Sequence, residues 1–116
     1  MKITDVKTQD IRFPTSKDNL GTDAVHVDCD YSATYVTIFT DQEDLNGIGL
    51  TFTIGKGNDL CCTVIEYFKE FIVGKDIQEI EKNIASIWEK ITNHSQLRWV
   101  GPQKGVTHLA AAAFFN

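Results

Sequence analysis

Between Gly47 and Ile54 the hydrophobic pattern has a period of two. Ile48, Leu50, Phe52 and Ile54 alternate with Gly47, Gly49, Thr51 and Thr53, the signature of a strand with one apolar face. Beyond Asn58 the period lengthens. Leu60, Val64, Phe68 and Phe71 recur at spacings of three and four, with Ile65 and Ile72 beside them, as on one face of a helix. This single change of period divides the chain. Strands occupy the first half and helices the second, which predicts an α+β domain with its layers segregated along the sequence. The apolar face of the 47–54 strand is expected to be covered by those helices.

Two further strands precede this one. Met1 to Phe13 is rich in apolar and β-branched residues and stops at Pro14, which has no N–H to give to a ladder. Ala33 to Thr40 contains Tyr35, Val36, Thr37, Ile38 and Phe39, all residues that suit an extended chain. Residues 15–32 form a long polar loop, a length that in a small domain marks function or mobility. Asp41 to Asn46 is a polar turn, closed by the hairpin dipeptide Asn46-Gly47. The expected sheet is a three-stranded antiparallel meander.

After Gly55-Lys56-Gly57, Asn58 stands where an N-cap would open the first helix, and Gly74 suits its far end. Asp76 and Glu79 have capping-box spacing, and Ile77, Ile80, Ile84, Ile87, Trp88 and Ile91 form one stripe ending near Asn93. A third helix runs from about Gly105 through Ala110–Ala113 to Phe115. The expectation is a three-helix bundle behind the meander, all within one domain spanning 1–116. The last helix has no stop signal, and its apolar end predicts an exposed patch that drives association, giving a homodimer or a sticky monomer.

Charge narrows the function. Eleven basic residues against sixteen acidic ones leave a net charge of −5, with no basic stripe, which argues against nucleic acid and against an anionic membrane surface. No apolar run reaches membrane-spanning length. The first residues lack a secretory or transit pattern. Cys29, Cys61 and Cys62 are odd in number and two are adjacent, so reduced thiols in an intracellular protein, cytoplasmic or mitochondrial, are the simple reading.

Three stretches carry groups that bind ligands. His26-Val27-Asp28-Cys29-Asp30-Tyr31 gathers imidazole, carboxylate and phenol in the long loop. Its His, Asp and Cys are metal-ligand types, but the spacing is short and no second ligand group stands out, so a polar ligand suits it better. Gly55-Lys56-Gly57-Asn58, between strand and helix, has the look of a small anion site without the spacing of a phosphate-binding loop. Arg98 and Trp99 offer a carboxylate clamp and a stacking surface. No set of catalytic carboxylates with a base can be assembled. Two readings stand: a ligand-contacting module rather than a self-sufficient catalyst, or a stand-alone interaction or anion-binding module.

Ile11-Arg12-Phe13-Pro14-Thr15-Ser16, Asp23 to His26 with Asp30 to Ala33, Thr51 to Gly57, and Leu97-Arg98-Trp99-Val100-Gly101-Pro102-Gln103-Lys104-Gly105-Val106 together resemble the N-terminal domain of L-fuconate dehydratases. These belong to the mandelate racemase branch of the enolase superfamily. The resemblance covers essentially the whole chain, with Cys29 where proline is expected. It implies an enolase N-terminal-domain-like cap over the mouth of a (β/α)₈ barrel that these 116 residues do not contain. In that family a barrel Lys or His removes the proton beside a carboxylate and Mg²⁺ stabilises the enediolate. Water then leaves, turning L-fuconate into 2-keto-3-deoxy-L-fuconate. The resemblance therefore implies no catalytic residue, metal ligand or cofactor in this chain, which is expected to be a fragment inactive alone, with Mg²⁺ belonging to the full-length enzyme. Two cap loops, 15–32 and 51–57, would reach the acid-sugar substrate. Together with the loop groups, they make His26, Asp28, Tyr31, Phe52, Lys56 and Trp99 the candidate substrate contacts.

Overall fold

The computed structural model describes residues 1–101 and 103–116; Pro102, part of the motif quoted above, lies outside the described residues. Three strands, β1 (Ile3–Ile11), β2 (Ser32–Thr40) and β3 (Asn46–Thr53), form an antiparallel meander in the order β1-β2-β3. Four helices follow: α1 (Asn58–Ile72), α2 (Ile77–Lys82), α3 (Ile84–Thr92) and α4 (Val106–Phe115). The predicted second helix is thus broken at Asn83, whose amide side chain donates to the Glu79 carbonyl at 2.8 Å. An Asn that bonds its own turn in this way competes with the helical ladder. Asp76 does cap α2, accepting from the Gln78 N–H at 2.9 Å, while Met1's ammonium lies 3.1 Å from its other oxygen. Gly74 takes a positive φ of 84° just past α1 and donates its N–H to Ile3, tying the helix end to the sheet.

The molecule is a slab, 47 × 35 × 18 Å. Its thin dimension holds one sheet and one helical layer, given about 10 Å between packed layers. Val6, Val36, Ile65, Phe68, Ile91 and Ala110 fill the space between them. The helices cover one sheet face only, and it is not the face that the alternation of β3 suggests. Ser32, Thr34 and Val36 of β2 and Thr51 and Thr53 of β3 point inward and are buried. Ile48, Leu50, Phe52 and Ile54 point outward and are exposed, Ile48 to 72%. The expectation that helices cover the apolar row is therefore overturned.

The reason lies in Gly49 and Asn58. Gly49 faces inward, and the Ala113 carbonyl of α4 sits directly over its Cα, so that any side chain there would collide with the helix backbone. Asn116 then donates its amide to the Leu50 carbonyl at 3.0 Å. A row of Gly and Thr allows this close approach; a row of Ile, Leu and Phe does not. Asn58 is not the N-cap of α1. Gly57 holds that position at φ 107°, and Asn58 is the first helical residue, fully buried. Its amide donates to Asp10 Oδ1 at 2.9 Å and to the carbonyls of Ile11 and Ala33, each at 3.2 Å, and its oxygen accepts from the Thr53 hydroxyl. One side chain thereby joins the start of α1 to all three strands.

Two smaller readings also change. Asn46-Gly47 is not the hairpin turn: Asn46 pairs with Phe39 and Gly47 with Ile38, so the turn is Asp41–Leu45. The inward stripe of α1 runs through Cys61, Val64, Ile65, Phe68 and Ile72, leaving Leu60 outside.

Candidate functional site

The loop from 12 to 31 and the turn from 54 to 57 meet at one end of the sheet. Asp30 N–H donates to the Ile54 carbonyl at 3.0 Å, and Gly55, at φ 113°, approaches Asp30 so closely that a Cβ would lie 3.0 Å from the Asp30 Cβ. The long loop is internally braced. Thr15–Asp18 forms a 3₁₀ turn. The Thr15 hydroxyl donates to the Cys29 carbonyl at 2.9 Å and accepts from the Tyr31 N–H at 3.0 Å. Asp30 Oδ1 accepts from both the N–H and the hydroxyl of Ser16, at 3.1 and 2.6 Å. Tyr31 donates its phenol to the Gly21 carbonyl, and the buried Cys29 thiol lies 3.2 Å from the His26 carbonyl. The long loop, expected to mark function or mobility, is a folded Ω-like excursion with its two ends clamped.

These bonds set the charges. The Ser16 hydroxyl, then its N–H, hold the Asp30 carboxyl below the usual carboxylate value. The His26 and Val25 N–H groups do the same for Asp23. Hydrogen bonding with the Cys29 side chain, then burial, push the Tyr31 phenol up. Burial pushes the Cys61 thiol up to about 11, so it is a neutral, inert core group. A carboxyl whose folded value is lowered stabilises the fold fully above its unfolded value near 3.8, and that contribution drains away as pH falls toward the lower folded value. The loop is therefore expected to open at acid pH before the sheet melts. Protection of the Ser16 and Tyr31 amides, relative to their intrinsic exchange at each pH, should fall as pH drops below about 4 while that of Val36 holds; an equal loss at all three sites would contradict this.

The six candidate contacts fall into three groups. Tyr31 and Phe52 stack with ring centroids 5.7 Å apart, forming a platform at the outer face of the sheet end. His26, Asp28 and Lys56 are exposed on the loop and the turn; His26 Nδ1 lies 3.4 Å from Asp23 Oδ2. Trp99 is 75% exposed and stands apart, in a cavity lined by residues between 92 and 108. Sequence reasoning missed Thr15, Ser16 and Asp30 as the residues that shape the loop. The signal was available only as pairs far apart in sequence, fourteen to sixteen residues, for which single-chain periodicity gives no clue.

The enolase-type metal does not fit this chain alone. Among the described residues no group of three or more His, Cys, Asp or Glu side chains converges. Asp30 and Asp23 are already engaged with their own loop. Among the described residues, no helix is long and apolar enough to cross a membrane.

A meander backed by helices on one face, with two loops meeting at the sheet end, is a layered α+β domain whose homologues are enolase-superfamily proteins. The chain is a homologue of mitochondrial enolase superfamily member 1: the Xenopus laevis protein is 46% identical over 116 residues, 99% of this chain and 26% of the relative. L-galactonate dehydratase of Hypocrea jecorina is 44% identical over 114 residues, 98% of this chain and 25% of the relative. The crystal structure of human mitochondrial enolase superfamily member 1 superposes with a TM-score of 0.90 at 43% identity, covering 99% of this chain and 26% of that one. The chain thus spans about a quarter of the length of the relatives it matches. No protein-family profile matches it.

Proposed function

We propose that this chain is the substrate-specificity cap of an acid-sugar dehydratase, with L-fuconate as its substrate, and that it is inactive by itself. The observation that carries this is the clamped loop 12–31 seated against the 54–57 turn: two loops held in one place, with exposed polar and aromatic groups and no catalytic set among the described residues. The likeness to an L-galactonate dehydratase supports the acid-sugar class. In this reading Tyr31 and Phe52 give a flat surface to the apolar face of the sugar chain, Lys56 faces its carboxylate, and His26 and Asp28 bond its hydroxyls. Closing over the reacting centre, the loops exclude water. Mg²⁺ and the proton-transfer groups would belong to polypeptide outside these residues. The setting is intracellular, and the names of the relatives favour the mitochondrion.

The test is complementation. The 116-residue chain is co-expressed with the remaining three quarters of the human relative, and dehydration of L-fuconate and L-galactonate is followed with Mg²⁺ present. Activity should need both polypeptides and prefer L-fuconate. Activity of this chain alone would refute the assignment, and a preference for L-galactonate would move the substrate.

An apolar patch giving a dimer or a sticky monomer was expected around the last helix, but Ala110, Ala111, Ala113 and Phe114 of α4 are buried. Self-association is instead proposed through exposed Ile48 and Leu50 of β3, leaving the Tyr31–Phe52 platform free. Sedimentation should give a mass above 13.0 kDa that returns to monomer for Leu50→Lys; a wild-type monomer at high concentration would rule this out.

A further inference from the structure

We propose that the cavity between the end of α3 and the start of α4 binds the oxyanion of a small acidic molecule, a carboxylate or a phosphate, through Arg98, Lys104, Thr107 and His108. The cavity holds about 540 Å³, within the range of small-molecule sites. It takes no wall from the 12–31 loop or the 54–57 turn, so it is separate from the candidate sugar-facing surface and does not depend on that reading.

Charge is the first reason. In a chain of net charge −5, the described lining residues include Arg98 and Lys104 and no Asp or Glu. Neither cation forms an ion pair among the described residues, whereas Arg12 and Lys69 elsewhere each contact two carboxylates. The Arg98 guanidinium lies 5.1 Å from the centroid of the Trp99 ring, which orients its donor fork.

Unused donors are the second reason. Gly105 is the N-cap of the ten-residue α4 and supplies no side chain, so among the described residues the Val106 and Thr107 amides have no side-chain cap. Thr107 is only 7% exposed and lines the cavity. Among the described residues, His108 Nδ1 is buried and has no hydrogen-bond partner. A buried polar group left unpaired is costly. His108 Nδ1 stands on the wall that carries the two cations, where one ligand can engage all three. A carboxylate or phosphate offers acceptors to the hydroxyl, the imidazole N–H, the helix-start amides and the guanidinium at once.

The test titrates the ¹⁵N-labelled 116-residue chain with sodium phosphate and, separately, sodium gluconate, holding ionic strength constant with chloride. Saturable shifts should be confined to Gly101, Gly105, Val106, Thr107 and the Trp99 indole. Whichever titrant saturates at lower concentration identifies the class of anion. Arg98→Gln and Lys104→Gln should each weaken binding about tenfold. Thr107→Val, which keeps shape and helix, should also weaken it, and Lys7→Gln, the same loss of charge on the far sheet face, should leave it unchanged. Shifts scattered over the surface, shifts reproduced by chloride alone, or binding retained in the Arg98→Gln/Lys104→Gln double variant would overturn the proposal.

Discussion

Replacing Asn58 with alanine is expected to lower the stability of the fold by about 3–5 kcal/mol. The side chain is fully buried and makes four hydrogen bonds, one or more to each strand. Its removal leaves the Ile11 and Ala33 carbonyls and the Thr53 hydroxyl without that partner, at a cost of about 1–3 kcal/mol for each group that water does not reach. A loss of that size is a large share of the 5–15 kcal/mol typical of a native domain. Asn58→Asp distinguishes a network from simple packing. It keeps the volume but has no N–H donors, and it sets a carboxylate against Asp10, whose own carboxyl the Arg12 side chain holds below its usual value. It should be at least as damaging at pH 7. Urea unfolding by circular dichroism measures both; an Asn58→Ala midpoint within experimental error of wild type would refute the role.

Gly49→Ala should cost about 3 kcal/mol although it adds one methyl group. That methyl would be driven into the Ala113 carbonyl and to 3.2 Å from Asn116 Cβ, and the obstacle is helix backbone rather than the tip of a flexible side chain. Overpacking of this kind is relieved only by moving an element. Because Trp88 packs edge-on against Phe115, with centroids 5.2 Å apart, a displaced α4 should also change tryptophan emission. Gly47→Ala is the control. Its Cβ would meet Ile38 at an ordinary 3.7 Å, and its effect should stay within about 0.5 kcal/mol. Similar losses at both glycines would show that strand propensity, not helix approach, is being measured.

The two periods in the sequence told strand from helix correctly, and with them the order of layers. They did not tell inside from outside. Ile48, Leu50, Phe52 and Ile54 look like a core row because transfer energy favours burying them, yet the row opposite, Gly49 with Thr51 and Thr53, is the one a helix can reach. Steric access from α4, some sixty residues away in sequence, decides the matter, and no local window contains it. Asn58 was misread for a related reason: Asn ahead of a helix is usually a cap, and its three strand partners are visible only once the strands are assembled. The helix break at Asn83 lay within an unbroken Ile stripe, which carries no mark of a side chain bonding its own turn. At the candidate site, the positions of His26, Asp28, Tyr31, Phe52 and Lys56 on two adjoining segments followed from motif and order. Trp99 was grouped with them, but the structure places it in a different cavity.

The inverted β3 has a consequence for how the molecule is made. During synthesis the β2–β3 hairpin and α1 emerge well before α4, and Asn58, bonded to Thr53 and Thr34, is what first holds the threonine face inward. Helix α4 then completes the choice, because its Ala113 carbonyl fits only over a glycine of that inward row.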